Sequence, residues 1–560
     1  MKTNRMTFLM LILAAATAFG ANRKIAPDLA AAREQTTDVI VRYKVPPQAH
    51  HRLNVEGRGA RFKRNLELVN ATVYTASTSM LNDLVSDPDV EYIAPDRPVR
   101  ATLDYAEPAI NANLARQYGW DGTGITVAVI DSGIMDGHPD LLDASGKSRV
   151  VYAESFNLSE GNDYFDRYGH GTHVAGILGG DASMSNGSGY TRSFWGIAPK
   201  VKFVNLKVLD RNGAGTDSMV IAAIQRAIAL KATYNIKIIN LSLGRPVMER
   251  YADDPLCQAA EQAWKAGITV VVAAGNEGRN NTHATSGYGT ITSPGNDPYV
   301  ITVGAMKDMK TLSRSDDQMA SYSSKGPTLF DQVAKPDLVA PGNKVMAALP
   351  TGLALTNTYP GNKVPQNYYI SGATSQPSDY YFEMSGTSMA TPMVAGAAAL
   401  LLQKQGSLTP DQIKAKLMKT ATKTFPLNSV ATDPVTGAVY TVQYDLFTVG
   451  AGYLDAWAAL NDTDTYSKKA ALSPLAQYNS STGKVVLTSG NNVVWGDAGL
   501  GLNVVWGDHV LLAGNVVWGD NVVWGDSTVS GFNVVWGDNV VWGDSGPKSE
   551  IINIAIYGER

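Results

Sequence analysis

One cysteine, Cys257, stands in 560 residues, so no internal disulfide can staple the fold even in an oxidising compartment. Cys257 falls in a predicted helix, Pro255 to Ala266, where it packs as a small hydrophobe. Excess charge is also missing. The formal net charge is −4, and no basic patch argues for nucleic acid. Beyond the first residues no apolar run approaches the roughly 20 residues that a bilayer span requires. What is present is 44% hydrophobic content over a length greater than one typical domain, enough for a sizeable core. Residues 1–21 differ: Lys2 and Arg5 precede the apolar stretch Phe8 to Ala16, with small residues at Ala18 and Ala21. That is the pattern of a cleaved secretory signal, which implies a secreted protein without a membrane span; an uncleaved anchor is the alternative.

Three separated motifs carry the chemistry. An aspartate ends an apolar strand at Asp131-Ser132-Gly133, and a histidine opens a small-residue helix at His170-Gly171-Thr172-His173. A serine starts another helix at Gly386-Thr387-Ser388-Met389-Ala390-Thr391-Pro392. A serine hydroxyl is a poor nucleophile at neutral pH and needs an imidazole to take its proton, the role of His170. A carboxylate must hold that imidazole in one tautomer and stabilise the imidazolium, the role of Asp131. The developing oxyanion needs fixed donors. Asn276, after the strand ending Ala273-Ala274-Gly275, suits it, although alone it would read as a turn residue. The backbone N–H of Ser388, at the positive end of its helix, is the second donor. Pro392 is expected in the first turn of that helix, where its missing N–H has no partner to lose.

These motifs, in the order Asp, His, Asn, Ser, resemble the subtilisin-like serine peptidases. The α/β-hydrolases and chymotrypsin-like enzymes run in other orders. The likeness extends from about Ala106 to Leu460 and implies a serine endopeptidase acting on polypeptides, with no cofactor required for the chemistry. It implies further that Gly213-Ala214-Gly215 and Ser242-Leu243-Gly244 clamp an extended substrate strand by backbone pairing. Thr292 then floors the primary pocket, and medium apolar side chains are favoured over very large ones. Asp140 matches a position that binds structural calcium in many relatives, so a structural calcium is an expectation too. One carboxylate is far short of the 6 to 8 oxygens calcium takes, and the loop around Met184 to Trp195 that should supply others is longer and differently composed. His138 reads as a turn residue and His173 as structural.

Apolar strands alternate with helical patterns. Strands are predicted at Ile125–Ile130, Val201–Leu209, Ile236–Ser242, Ile268–Ala274 and Val300–Val303, with helices at Ser218–Lys231 and Pro255–Ala266. This is the α/β class, a doubly wound parallel sheet of subtilisin-like type, with ligands outside the carboxyl ends of the strands. The expected domains are a signal at 1–21, a small α+β propeptide at 22–102, the peptidase at 103–465, a linker at 466–490, a repeat segment at 491–545 and a final strand at 546–560. The strands Asp38–Tyr43 and Val73–Ala76, a helix Met80–Val85 and a last strand through Ile93 resemble the inhibitory propeptide of this family, which implies a zymogen cut near Arg100 to Tyr105. A permanent substrate-binding or linker domain is the alternative. The polar and aromatic stretch Thr351 to Phe382 reads equally as an ordered loop narrowing the cleft or as a disordered insertion.

Asn-Val-Val-Trp-Gly-Asp occurs six times, starting at Asn492, Asn503, Asn515, Asn521, Asn533 and Asn539, with no Lys or Arg from Asn491 to Pro547. Short β-prone triplets between Gly-Asp turns suggest a hexapeptide β-solenoid or stacked strands and self-association through them. Ile551 to Tyr557 is expected to cap that stack as a strand. A catalytically silent scaffold with a repeat-mediated adhesion role is the alternative to the peptidase.

Overall fold

The computed structural model describes residues 24–25, 29, 36–66, 70–95, 105–281, 285–464, 466, 470–479, 484–488 and 548–559. The signal segment and the Asn-Val-Val-Trp-Gly-Asp repeats lie outside them. The chain divides into two compact units, Met1–Arg100 and Ala101–Arg560.

The first unit is an antiparallel sheet in the order β2-β3-β1-β4, built from β1 (Thr36–Tyr43), β2 (Arg61–Leu66), β3 (Ala71–Ser77) and β4 (Val90–Pro95). Among the described residues the helices α1 (Ala49–Glu56) and α2 (Leu81–Val85) accompany it. Alternation along β1 buries Val39, Val41 and Tyr43 against Val55, Tyr74, Leu84 and Ile93, so one face makes the core. Helix α1 and strand β2 escaped the sequence reading. The α1 segment is weakly amphipathic and rich in histidine, and β2 is mostly exposed.

The second unit is built on an eight-stranded, mainly parallel sheet. Its strands are β5 (Thr126–Asp131), β6 (Val150–Ser155), β7 (Lys202–Lys207), β8 (Ile236–Leu241), β9 (Thr269–Ala273), β10 (Ile301–Lys307), β11 (Gln318–Met319) and β12 (Leu338–Pro341). The path runs β11-β10-β9-β8-β5-β7-β6, with β12 parallel beside β10 and only β11 antiparallel. Every residue of β5 and β9 is buried, because helices cover both faces and such strands must be apolar throughout. Helices α3 (His170–Gly179), α4 (Asp217–Tyr234) and α5 (Pro255–Lys265) join the sheet's strands, as the alternating pattern predicts. From β5 the chain goes to the edge strand β6, returns to β7 beside β5, and then crosses to β8, β9 and β10 on the other side. The carboxyl end of β5 is therefore the switch point at which an open α/β sheet binds ligands, and Asp131 is its last residue.

Past the sheet, β13 (Val345–Ala348), β14 (Lys363–Pro365) and β15 (Pro377–Met384) form a small antiparallel sheet in the order β13-β15-β14. The Thr351 to Phe382 stretch is thus ordered. Its Val364, Tyr369 and Tyr381 bury themselves against Phe194 and Met346 in a separate aromatic core. β15 leads into α6 (Thr387–Lys404), which packs on β8, β9, β10 and α3. The 548–559 segment is not a strand. It forms a helix, α7 (Lys548–Tyr557), because a short run such as Ile551-Ile552-Asn553-Ile554-Ala555-Ile556 satisfies helical and alternating periods alike. The proline at 547 is the neglected signal for a helix start. Among the described residues, no helix is long and apolar enough to cross a membrane.

Candidate active site

Asp131 and His170 meet across the sheet's switch point. The His170 Nδ1 lies 2.7 Å from Asp131 Oδ1, and the same oxygen accepts the Ser132 N–H at 2.7 Å. Asp131 is buried, and its Oδ2 has no protein partner among the described residues. Burial pushes the imidazole pKa down, but the charge and hydrogen bond of Asp131 outweigh it and leave His170 above its ordinary value. A carboxylate on Nδ1 fixes the tautomer so that Nε2 can accept a proton.

Asp166, which the sequence reading missed, joins these two elements. Its carboxylate accepts from the Ser132 hydroxyl at 2.9 Å, Gly169 N–H at 2.7 Å and Thr172 N–H at 2.9 Å. The Ser132 hydroxyl in turn accepts the Gly171 N–H at 2.9 Å. The Asp131 turn and the start of α3 are therefore one hydrogen-bonded piece. The signal was an aspartate just ahead of a helix, where anionic side chains satisfy orphan N–H groups.

Ser388 is the second residue of α6, set there by Gly386, whose φ of +141° favours glycine. Its hydroxyl donates to the Ser242 carbonyl at 3.0 Å rather than to His170. Such contacts commonly realign when substrate binds. Pro392 lies in the second turn, not the first, because the helix already starts at Thr387. Its missing N–H frees the Ser388 carbonyl four residues back, and the Ser242 hydroxyl takes that carbonyl at 2.8 Å. The nucleophile candidate is thus tied to the Ser242 segment in both directions. Asn276 Oδ1 accepts from the Thr387 N–H at 2.9 Å and its hydroxyl at 3.1 Å. With the oxygen held, the amide NH2 is the end left to donate, and a Cβ on Gly386 would meet it at 3.2 Å.

His170, Ser388, Asn276, Ser242 and Gly215 line one cavity of about 390 Å³. Gly213, Ala214, Leu243 and Gly244 line it as well. Thr292 lies behind this wall: a Cβ on Gly244 would meet its Oγ1 at 2.5 Å, and one on Gly275 its Cγ2 at 2.7 Å. Glycine at both positions lets the backbones approach Thr292 closely.

Asp140 stands elsewhere, and its surroundings do not fit calcium. Its two oxygens accept from Met184 N–H at 3.0 Å and Tyr381 hydroxyl at 2.7 Å, and burial pushes its carboxyl up to about 7. Calcium needs converging oxygen acceptors and an ionised carboxylate, whereas here donors face the group. The loop expected to bring ligands instead brings Met184, Tyr190 and Phe194 to the aromatic core. Among the described residues, the one converging group of three or more His, Cys, Asp or Glu ligand atoms is His50, His51 and Asp89 of the first unit. His138 is buried, caps Asp140 N–H through Nδ1 and contacts the Tyr380 carbonyl through Nε2. His173, also buried, reaches the Phe382 carbonyl at 3.0 Å. Burial holds both imidazoles well below the ordinary histidine value. Cys257 is buried, and burial raises its thiol far above the usual range.

The family model described as Subtilase family matches residues 122–450. Serine protease AprX of Bacillus subtilis is 36% identical over 376 residues, covering 65% of this chain and 76% of the relative. Subtilisin E of the same organism is 34% identical over 371 residues, 66% of this chain and 80% of the relative. Subtilisin DY of Bacillus licheniformis is 35% identical over 322 residues, 57% and 92% of the two chains. With the parallel sheet and the Asp131–His170 pair beside Ser388, these matches place the chain in the subtilase family of serine peptidases.

Proposed function

We propose that the protein is a secreted endopeptidase, made as a zymogen, that hydrolyses peptide bonds through an acyl-enzyme on Ser388. The observation that carries this reading is the 2.7 Å Asp131–His170 pair opening on the cavity shared with Ser388 and Asn276. His170 Nε2 takes the hydroxyl proton as Ser388 Oγ bonds to the scissile carbonyl carbon. The carbonyl π pair moves onto oxygen, where the Asn276 amide and the Ser388 N–H meet it. Collapse expels the amine, which leaves with the proton from His170, and water repeats the sequence to release the acid. Asp131 keeps its hydrogen bond to Nδ1 and steadies the imidazolium. Gly213–Gly215 and Ser242–Gly244 pair with the extended substrate on its acyl side, and Thr292 floors the primary pocket.

The α+β unit Met1–Arg100 supports the zymogen reading, with residues 22–102 as the inhibitory propeptide, and the Lys2, Arg5 and Phe8–Ala16 pattern supports export. The test is labelling of the purified protein with a fluorescent phosphonate. Label on the wild type and none on Ser388→Ala is the expected result; equal labelling of both, or none on either, sinks the assignment. Intact mass and N-terminal sequencing of culture supernatant test export and the cut near Arg100 to Tyr105.

A further inference from the structure

Helix α7 sits in the cleft of its own chain. Ile552, Ala555 and Ile556 line the same cavity as His170 and Ser388. The Ala555 carbonyl accepts the main-chain N–H of Ser385 at 2.9 Å, three residues before the proposed nucleophile. The Ile556 carbonyl is held by the Asn362 side chain. Beyond the helix the chain turns at Gly558, φ +59°, where a Cβ would meet Ser385 Oγ at 2.5 Å and Asn343 Oδ1 at 2.7 Å.

The turn delivers Glu559 into a buried socket. Its carboxylate accepts from Arg279 at 2.7 Å, from Ser321 N–H at 2.8 Å and from the Ser321 hydroxyl, with Lys307 Nζ at 3.7 Å. Asn343 holds both main-chain groups of Glu559, donating to its carbonyl at 3.1 Å and accepting its N–H at 3.0 Å. Arg279 also pairs with Asp433. Two cations thus face two carboxylates, all at most 8% exposed. Withdrawing Glu559 leaves one buried positive charge uncompensated, which a low-dielectric interior resists strongly. The socket is therefore complementary to a carboxylate-bearing peptide.

We propose that the Arg279–Lys307–Ser321–Asn343 socket is a docking site for such a peptide, that its occupant is this chain's own 548–559 segment, and that docking closes the cleft to polypeptide substrates. The inference rests on the peptidase reading above. The segment obstructs without being cut, because subtilase substrates bind as extended strands that pair by backbone, whereas the amides of a helix are bonded internally. Among the described residues its main-chain bond to the cleft goes to Ser385 and none goes to Gly213–Gly215 or Ser242–Gly244, so the proposal places it on the leaving-group side. A small ester that needs only the acyl side still reacts; a protein chain running past Ser388 does not.

The test compares wild type with Gly558→Val and Glu559→Gln as full chains in one maturation state, fixed by intact mass. The readout is the ratio of kcat/KM on unfolded casein to kcat/KM on a small activated ester. At least a tenfold rise of that ratio in both variants is expected. Peptide 548–559 added in trans should reverse it, and the same peptide carrying Glu559→Gln should not. An unchanged ratio, or both rates falling together, overturns the proposal, since loss of folding alone lowers both. Fluorescein-labelled 548–559 peptide is also titrated onto the Gly558→Val protein and followed by anisotropy. Binding at least tenfold tighter than that of the Glu559→Gln peptide supports docking even if Ser388 turns over nothing, in which case the peptidase reading fails alone. No binding overturns docking.

Discussion

The cleft around Ser388 and the socket around Glu559 both bury charge at the rim of one sheet, but they treat it differently. In the socket both carboxylate oxygens of Glu559 and its own N–H and carbonyl are taken up by Arg279, Ser321 and Asn343. In the cleft Asp131 shares one oxygen between His170 and Ser132 and, among the described residues, leaves Oδ2 without a protein partner, while the Ser388 hydroxyl rests on a carbonyl. Saturated groups cost a great deal to move and so fix structure. Ser388, whose hydroxyl must give up its proton, is held by a single exchangeable bond. Substitutions in the two places should therefore fail in different ways, activity in one and folding in the other.

The widest separation comes from Ser388→Ala. Hydrolysis should fall by about 10⁶-fold with the melting temperature unchanged, measured on a small ester and by calorimetry. A loss of stability to match would erase the contrast.

Asp131→Asn should follow at about 10⁴-fold, and its pH profile carries the sharper information. His170 titrates above the ordinary histidine value of 6.5 because Asp131's charge and hydrogen bond outweigh burial. The neutral imidazole is the active form, so the rate of the wild type falls as pH drops through that raised value. In the variant burial is opposed only by the lesser charge effect of Asp166, so the acid limb moves to lower pH. For stability the sign is opposite. A raised folded-state value means the pair's contribution is fully present below about 6.5 and lost as pH rises through the folded pKa. An unmoved acid limb in the variant would show that Asp131 does not govern His170. Asn276→Ala should cost about 10² to 10³-fold in kcat with little change in KM, since its NH2 meets charge only as the oxyanion forms.

What the chain discloses in advance follows the same division. Asp131, His170, Asn276 and Ser388 are legible because each sits where a strand or helix ends, and glycines at 133, 169 and 386 mark the sharp turns around them. The parallel strands are legible because full burial makes them continuously apolar. Glu559 is not, because a carboxylate that serves by saturation carries no motif and its partner Arg279 lies 280 residues away; Asp166 carries only the local signal of an aspartate ahead of a helix, and its bond to Ser132 spans 34 residues. The second-turn position of Pro392 was hidden too, because a helix start is uncertain by about two residues and that slip decides which carbonyl is freed. Ile551 to Tyr557 is helical, so its alternation does not mark a strand.

In the socket, Glu559→Ala should destabilise by about 3–5 kcal/mol, because Arg279 and Lys307 stay buried with one counter-charge fewer; urea unfolding with an unchanged slope measures it. A cost under about 1 kcal/mol would mean that the pair relaxes into water, and the contrast with the cleft would collapse.

Asp140 gives the smallest effect and the finest distinction, since it is saturated like Glu559 yet stands where a cation was expected. If donors alone satisfy it, removing the Tyr381 hydroxyl in Tyr381→Phe should cost about 1–3 kcal/mol, because Asp140 loses a 2.7 Å bond in a site that is 1% exposed. A chelator should then shift the melting temperature of neither protein. Were calcium the organising group, the chelator would destabilise the wild type and the hydroxyl would matter little. The two experiments therefore move in opposite directions under the two arrangements.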